Sequence, residues 1–365
     1  MAGRQLVANP HICRTLQEAP KLRPFIIPNV RPTGRSLGGG SYGTVEELEI
    51  DGVLCAGKKV YDALIDPENE GAQHIVDKYY SECQLLSDLR HPHIVQFLGV
   101  CFLPDTQLPL LVMELLKGSL DELLENTPDI PHFTKLCILQ DVCRGLVHLH
   151  GRSPAIIHRD LTARNVLLTS AMTAKIADMG NSRIVNIQPG QLAQTMTQGV
   201  PGTLVYMPPE ALGRSHRYGP PLDMFSFGIV ALFTATQVFP KDLMTPTYFD
   251  LETNVVKGRT ELERRSEYID ILHAQYSEKN HPLVSLIQLC LHNNVAKRPT
   301  ARQALERIGE MKTGIHEPYS NLSRLQLERQ LKEKEAKVQQ FEEEIPSLRS
   351  DLEEFQVSYV YHTVK

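Results

Sequence analysis

The chain has 365 residues, 42% of them hydrophobic, and a formal net charge of −5, so it is large enough to bury a core and too mildly acidic to grip nucleic acid or an anionic membrane non-specifically. Its seven scattered cysteines contain no CxxC pair, which argues against a disulfide framework or a thiolate zinc site and for a reduced, cytoplasmic protein. Apolar runs such as Leu108 to Met113 stop far short of the roughly 20 residues that cross a bilayer, and Pro10, His11 and Arg14 interrupt any signal-peptide core, so no membrane insertion is expected.

Residues 1–33 carry five prolines and no sustained periodicity, and read as an extended lead-in of unknown role. From Arg35 to Val60, two strand-like runs flank a cluster of glycines, which predicts a strand, glycine loop, strand hairpin. A helix is expected over about Ala72 to Leu89, followed by short apolar runs from Ile94 to Met113 that complete a small sheet. After Gly118 the character changes. Leu136, Leu139, Val142, Cys143, Leu146 and Leu149 recur at helical spacing, and further helices are predicted at Asp223 to Thr236, Leu283 to Leu291 and Thr300 to Met311.

A linker over 313–321 leads to a tail over 322–360 rich in Glu, Lys, Gln and Leu. There Leu327, Leu331, Val338, Phe341, Ile345, Leu348, Leu352 and Phe355 follow coiled-coil spacing, broken by the polar Lys334 and by Pro346. The expectation is a homodimer or a coiled-coil partner through this tail, lost in a chain that ends near His316.

Several short motifs carry chemistry. Gly38, Gly40 and Gly43 form GxGxxG, whose missing Cβ atoms let the backbone approach phosphates. A strand rather than a helix follows, which disfavours dinucleotide binding. Lys58 lies fifteen residues after Gly43 on the second strand, where an ammonium can reach phosphates if an anion holds it, and Glu82 on the next helix is the candidate. Alone, Lys58 reads as a surface lysine and Glu82 as a solvated helix carboxylate. The strongest element is His158-Arg159-Asp160-Leu161-Thr162-Ala163-Arg164-Asn165. Here Asp160 is suited to orient an acceptor hydroxyl, and Asn165 to offer an amide oxygen to magnesium. Asp178-Met179-Gly180 comes after the strand-like Ala174 to Ala177, so Asp178 is placed to present a carboxylate to a hard cation rather than merely to make a turn.

In this order, from about Arg35 to Met311, these motifs resemble the eukaryotic protein kinase family. The resemblance implies an α+β, bilobal fold: an N-terminal antiparallel sheet with one helix, a mainly helical second lobe, and ATP with Mg²⁺ in the cleft between them. The kinase domain is taken as 34–312. The family implies that Lys58 pairs with Glu82, that Asp160 is the catalytic base and that Asn165 and Asp178 are the metal ligands. It implies that Met113 guards the back of the adenine pocket, that Glu114 to Leu116 form the hinge, and that Val45, Ala56 and Leu167 sandwich the ring. It further implies a structural pair of Glu210, in Pro208-Pro209-Glu210, with Arg298, and a buried helix start at Asp223. Met179 stands where the family has Phe, and Phe225 where it has Trp.

The motifs disagree about the acceptor. Thr162-Ala163-Arg164 resembles the tyrosine-kinase loop, whereas Gly202 to Glu210 resembles the serine/threonine form. Because that second segment supports the acceptor peptide, it carries more weight, and a serine/threonine kinase of the tyrosine-kinase-like group is expected, with a protein tyrosine kinase as the alternative. Arg159 beside Asp160 is suited to bind a phosphate on Thr195 or Thr197 of the activation segment, with Ser182 a weaker site. The rival from another class is a pseudokinase scaffold. A metabolic small-molecule kinase is disfavoured by the Pro-Pro-Glu segment.

Overall fold

The computed structural model describes residues 25–39, 43–66, 71–103, 106, 108–185, 193–194, 204–211, 217–238, 248–250, 255–257, 270–274, 276 and 281–313. The glycine-loop residue Gly40, the threonines Thr195 and Thr197, and the whole tail lie outside them.

The amino-terminal lobe is an antiparallel sheet of β1 (Val30–Gly39), β2 (Gly43–Ile50), β3 (Val53–Val60), β4 (Phe97–Cys101) and β5 (Leu110–Glu114), in the order β1-β2-β3-β5-β4. Leu48, Cys55, Cys101, Leu110 and Val112 pack on one face as its core. Helix α1 (Ala72–Ser87) packs against β4 with Tyr79, Tyr80, Cys83 and Leu86 buried. Strand β1 starts at Val30, inside the stretch read as lead-in. It is an edge strand whose residues are nearly all exposed, so it lacks the alternation that marks a half-buried strand, and its Pro32 is tolerated because one side of an edge strand pairs with nothing. Just before it, Ile26 bridges Val100 in parallel and the Ile27 amide donates to the Val100 carbonyl at 2.9 Å, so this part of the lead-in belongs to the sheet.

The second lobe is built around α2 (Leu120–Asn126), α3 (His132–His150), α4 (Pro220–Thr236), α5 (Pro282–Cys290) and α6 (Ala301–Thr313). Ser119 and Glu122 close a capping box that fixes the start of α2 directly after the two-residue strand Gly118–Ser119. The six apolar residues of α3 singled out by spacing are fully buried. Helix α4 is buried from Leu222 to Thr236, as an all-round apolar helix must be. It approaches α5 so closely that a Cβ on Gly228 would lie 2.7 Å from the Cys290 Cβ.

Between the lobes the chain forms strands of two or three residues. β6 (Gly118–Ser119), β8 (Val166–Leu168) and β9 (Ala174–Ile176) make one ribbon, and β7 (Ala155–Ile157) pairs with β10 (Arg183–Val185). Beyond them lie the pairs β11 (Ala193–Gln194) with β12 (Arg217–Tyr218) and β13 (Tyr248–Asp250) with β14 (Val255–Lys257). The catalytic-loop residues 158–165 lie between β7 and β8, and a parallel bridge from Ile94 to Ile176 joins this region to the segment before β4. This is the α+β, two-lobed architecture expected from the motifs.

Candidate active site

Lys58 reaches across from β3 to α1, where its Nζ donates to both oxygens of Glu82, at 2.8 and 3.0 Å. The same ammonium donates to Asp178 Oδ1 at 2.9 Å. Burial opposes a charge on Lys58, but Glu82 and Asp178 outweigh it and raise its pKa above the ordinary lysine value. For Asp178, burial is likewise overcome, here by the charge and hydrogen bond of Lys58 and by the Gly180 amide, and the carboxyl falls to about 2. For Glu82 burial wins and pushes the carboxyl up, against the opposing pull of the Lys58 charge and hydrogen bonds, so the three side chains form one tightly hydrogen-bonded cluster. Val45 pairs with Lys58 across β2 and β3, and Ala56 pairs with Met113 across β3 and β5, so the register brings the residues expected to line the adenine pocket to the same end of the sheet as the lysine.

The turn that carries Asp178 is strained. Asp178 has φ 60° and Arg159 φ 69°, in the left-handed region that few non-glycine residues enter and that costs on the order of 1–3 kcal/mol. Each is held by specific bonds: Asp178 Oδ1 accepts from the Gly180 amide at 3.2 Å, and the Arg159 amide donates to Asp223 Oδ1 at 2.9 Å. Asp223, fully buried at the start of α4, also accepts from the His158 amide and from His150 Nε2, both at 2.8 Å. Burial opposes its ionisation, but His150, His158 and the Arg159 amide hold its pKa below the ordinary carboxylate value. The expected structural residue is therefore the anchor of the catalytic loop.

His158 completes the link by pairing its Nε2 with the Ala177 carbonyl at 2.9 Å, one residue before Asp178. Asn165 turns its Nδ2 back to the Asp160 carbonyl at 2.8 Å, which leaves Oδ1 as its oxygen donor end. Asp160, half-buried, presents its carboxylate at the same place. Among the described residues no group of three or more His, Cys, Asp or Glu side chains could hold a metal. The donors that fit magnesium are the Asn165 amide oxygen and the Asp178 carboxylate, two hard oxygens of the kind that leave most of the cation's shell to phosphates and water.

Glu114 also makes side-chain bonds that the sequence did not foretell. Its amide donates to the Gln96 carbonyl at 3.0 Å, and its carboxylate accepts from Lys175 Nζ at 2.6 and 2.9 Å and from the Gln96 amide at 2.7 Å, so its side chain ties β5 to β9. Leu116 lies half-buried in the connection to β6, and Leu167 on β8 pairs with Ser119. Gly38 takes φ 147°, a conformation open to glycine, and a Cβ on Gly43 would collide with the Lys59 carbonyl at 1.9 Å. Arg159 is 5% exposed. Arg298 and Glu210 form the expected pair, Nη2 to Oε2 at 2.9 Å.

Sequence reasoning missed Asn181, whose Nδ2 donates to Asp160 Oδ2 at 3.0 Å, and Lys78, whose Nζ donates to Asn181 Oδ1 at 2.6 Å. The available signals were an amide directly after Gly180 and a lysine one helical turn before Glu82. It also missed Tyr206, whose hydroxyl accepts from the Ala163 amide at 3.3 Å.

The protein kinase domain model matches residues 32–308. Among curated proteins, the chain is 30% identical to the probable serine/threonine-protein kinase drkB of Dictyostelium discoideum, over 77% of this chain and 37% of the relative. It is 32% identical to phytosulfokine receptor 1 of Arabidopsis thaliana, over 75% of this chain and 27% of the relative. It is 30% identical to the dual specificity protein kinase shkA of Dictyostelium discoideum, over 75% and 48%. The chain therefore spans less than half the length of each of these relatives. With the family match running from the edge strand β1 to the last described helix α6, and with the motif residues meeting at one cluster, the chain belongs to the protein kinase domain family.

Proposed function

We propose that the chain transfers the γ-phosphoryl group of Mg-ATP to serine or threonine hydroxyls of a protein substrate. The observation that carries this reading is the hydrogen-bonded cluster of Lys58, Glu82 and Asp178 beside Asp160 and Asn165. Mg-ATP supplies the group to be transferred and the cation that neutralises charge developing on it. Lys58, held by Glu82, binds phosphate oxygens. Asn165 Oδ1 and the Asp178 carboxylate hold the cation. Asp160 accepts the proton of the acceptor hydroxyl and orients its oxygen for in-line attack. Val45, Ala56 and Leu167 enclose the adenine, with the main chain of Glu114 to Leu116 as its hydrogen-bonding edge. A pseudokinase scaffold is disfavoured because every one of the chemical residues is present and joined.

Two observations support a serine/threonine acceptor. The catalytic loop is fastened to the segment of serine/threonine type, with Tyr206 bonded to Ala163 and its carbonyl accepting from Ser226 Oγ at 2.9 Å. Arg164, the residue of tyrosine-kinase type, is exposed and lies 3.8 Å from Asp121, too long for a hydrogen bond that would fix it. Phosphoamino-acid analysis of a degenerate peptide library phosphorylated by the full chain is expected to show phosphoserine or phosphothreonine. A product containing only phosphotyrosine would reverse the acceptor assignment and leave the phosphotransfer reading intact.

A further inference from the structure

Helix α1 meets the site at two points. Glu82 holds Lys58, and Lys78, four residues earlier and so on the same face of the helix, donates to Asn181. Asn181 in turn donates to Asp160 Oδ2. Its amide orientation is fixed by these partners. With Oδ1 toward the Lys78 ammonium and Nδ2 toward the Asp160 carboxylate, both ends are matched, whereas the flipped amide would set N–H against N–H and oxygen against oxygen. The position is also built. Asn181 closes the short 3-10 turn Met179–Asn181, which begins at the strained Asp178 and lies against α1, with Met179 buried beneath it. The main chain of Asp160 is fixed separately, by its amide donating to His158 Nδ1 at 3.3 Å and its carbonyl accepting from Asn165. Asn181 thus acts on the carboxylate itself.

We propose that Asn181 is a positioning residue that holds the Asp160 carboxylate in the orientation needed to receive the acceptor proton, and that Lys78 makes this hold depend on the seating of α1. The inference rests on the reading of Asp160 as the base. Its consequence is that displacing α1 disables the site twice, once at the phosphate side through Lys58 and once at the acceptor side through Asn181. An amide is the neutral side chain of this length that can accept from an ammonium and donate to a carboxylate together, which is why a leucine or serine here could not substitute.

The test is steady-state kinetics of the full chain with Mg-ATP and the degenerate peptide library, comparing wild type, Asp160→Asn, Asn181→Ala, Asn181→Asp, Lys78→Met and the double variant Lys78→Met/Asn181→Ala. Asn181→Ala is expected to lower kcat about tenfold, part of the 10²–10⁴ that a placed base supplies, with the KM for ATP changed less than about twofold. Asn181→Asp keeps the volume and the acceptor for Lys78 but loses the donor, and is expected to lose at least as much. Lys78→Met is expected to cost about threefold alone and nothing further in the double variant, because it acts through Asn181. If Asn181→Ala lowers the melting temperature, the isosteric Asn181→Asp and the partly exposed Lys78→Met still decide the question. An Asn181→Ala or Asn181→Asp enzyme within twofold of wild type, beside an inactive Asp160→Asn, overturns the proposal. Additive losses in the double variant overturn the Lys78 link. A wild type that transfers no phosphate overturns the base reading, and the relay with it.

Discussion

Asp160→Asn is expected to reduce kcat about 10³-fold while leaving the KM for ATP within about threefold and the melting temperature unchanged. The substitution exchanges one carboxylate oxygen for an NH₂ group and removes the negative charge, and with it the basicity, at nearly constant volume. The bond from Asn165 goes to the main-chain carbonyl of residue 160 and survives, and the new side-chain amide still offers an oxygen to Asn181. The Lys58, Glu82 and Asp178 cluster is untouched, so nucleotide binding is preserved and the loss falls on proton acceptance. Steady-state kinetics at saturating ATP separate the two. A variant that kept half the wild-type kcat would move the base to another residue.

Arg298→Ala is expected to cost about 3–5 kcal/mol of stability, the usual result of removing one partner of a buried ion pair. The Arg298 side chain is fully buried. Its guanidinium donates to Glu210, to the Pro221 carbonyl at 3.1 Å and to the His292 carbonyl at 2.9 Å, and it stacks over the Phe225 ring at 5.0 Å. One side chain therefore ties the segment ending at Glu210, the start of α4 and the turn before α6 together. Alanine leaves the Glu210 carboxylate and two carbonyls without these donors, so calorimetry should show a fall in melting temperature on the order of 10 °C. Arg298→Lys keeps the charge but not the planar fork, and is expected to recover only part of the loss. A melting temperature within about 2 °C of wild type for the alanine variant would contradict this assignment.

The helices were legible because their burial is periodic or complete. The stripe from Leu136 to Leu149 is buried as its spacing requires, and the unbroken apolar run of α4 leaves little choice but burial. Strand β1 was not legible, since an exposed edge strand held by backbone pairing writes no pattern into its side chains. Nor were β6, β7 and β10, which at two or three residues are shorter than any period can register. At the site, Lys58, Glu82, Asp160, Asn165 and Asp178 could be found because their spacing along the chain follows a family pattern. Asn181, Lys78 and His150 escaped for the opposite reason. The residues they touch lie 21, 103 and 73 positions away, and contacts at such separations are set by the packing of whole elements rather than by local sequence. The bond of Glu114 to Lys175, 61 positions away, likewise left no signal in the sequence.

Phosphoryl transfer by the cluster of Lys58, Glu82 and Asp178, with Asp160 and Asn165 beside it, can be measured as transfer of label from γ-³²P-ATP to the degenerate peptide library, with Mg²⁺, by the wild-type chain and by Asp178→Asn. The wild type should label the peptides, and only with the cation present. Asp178→Asn, folded and of similar melting temperature, should fall by at least about 10²-fold, because removing the negative charge leaves the site with two neutral amide oxygens for magnesium and weakens the pairing with Lys58. Equal labelling by the two proteins, or labelling that does not need the cation, would rule out this role for Asp178 and its neighbours.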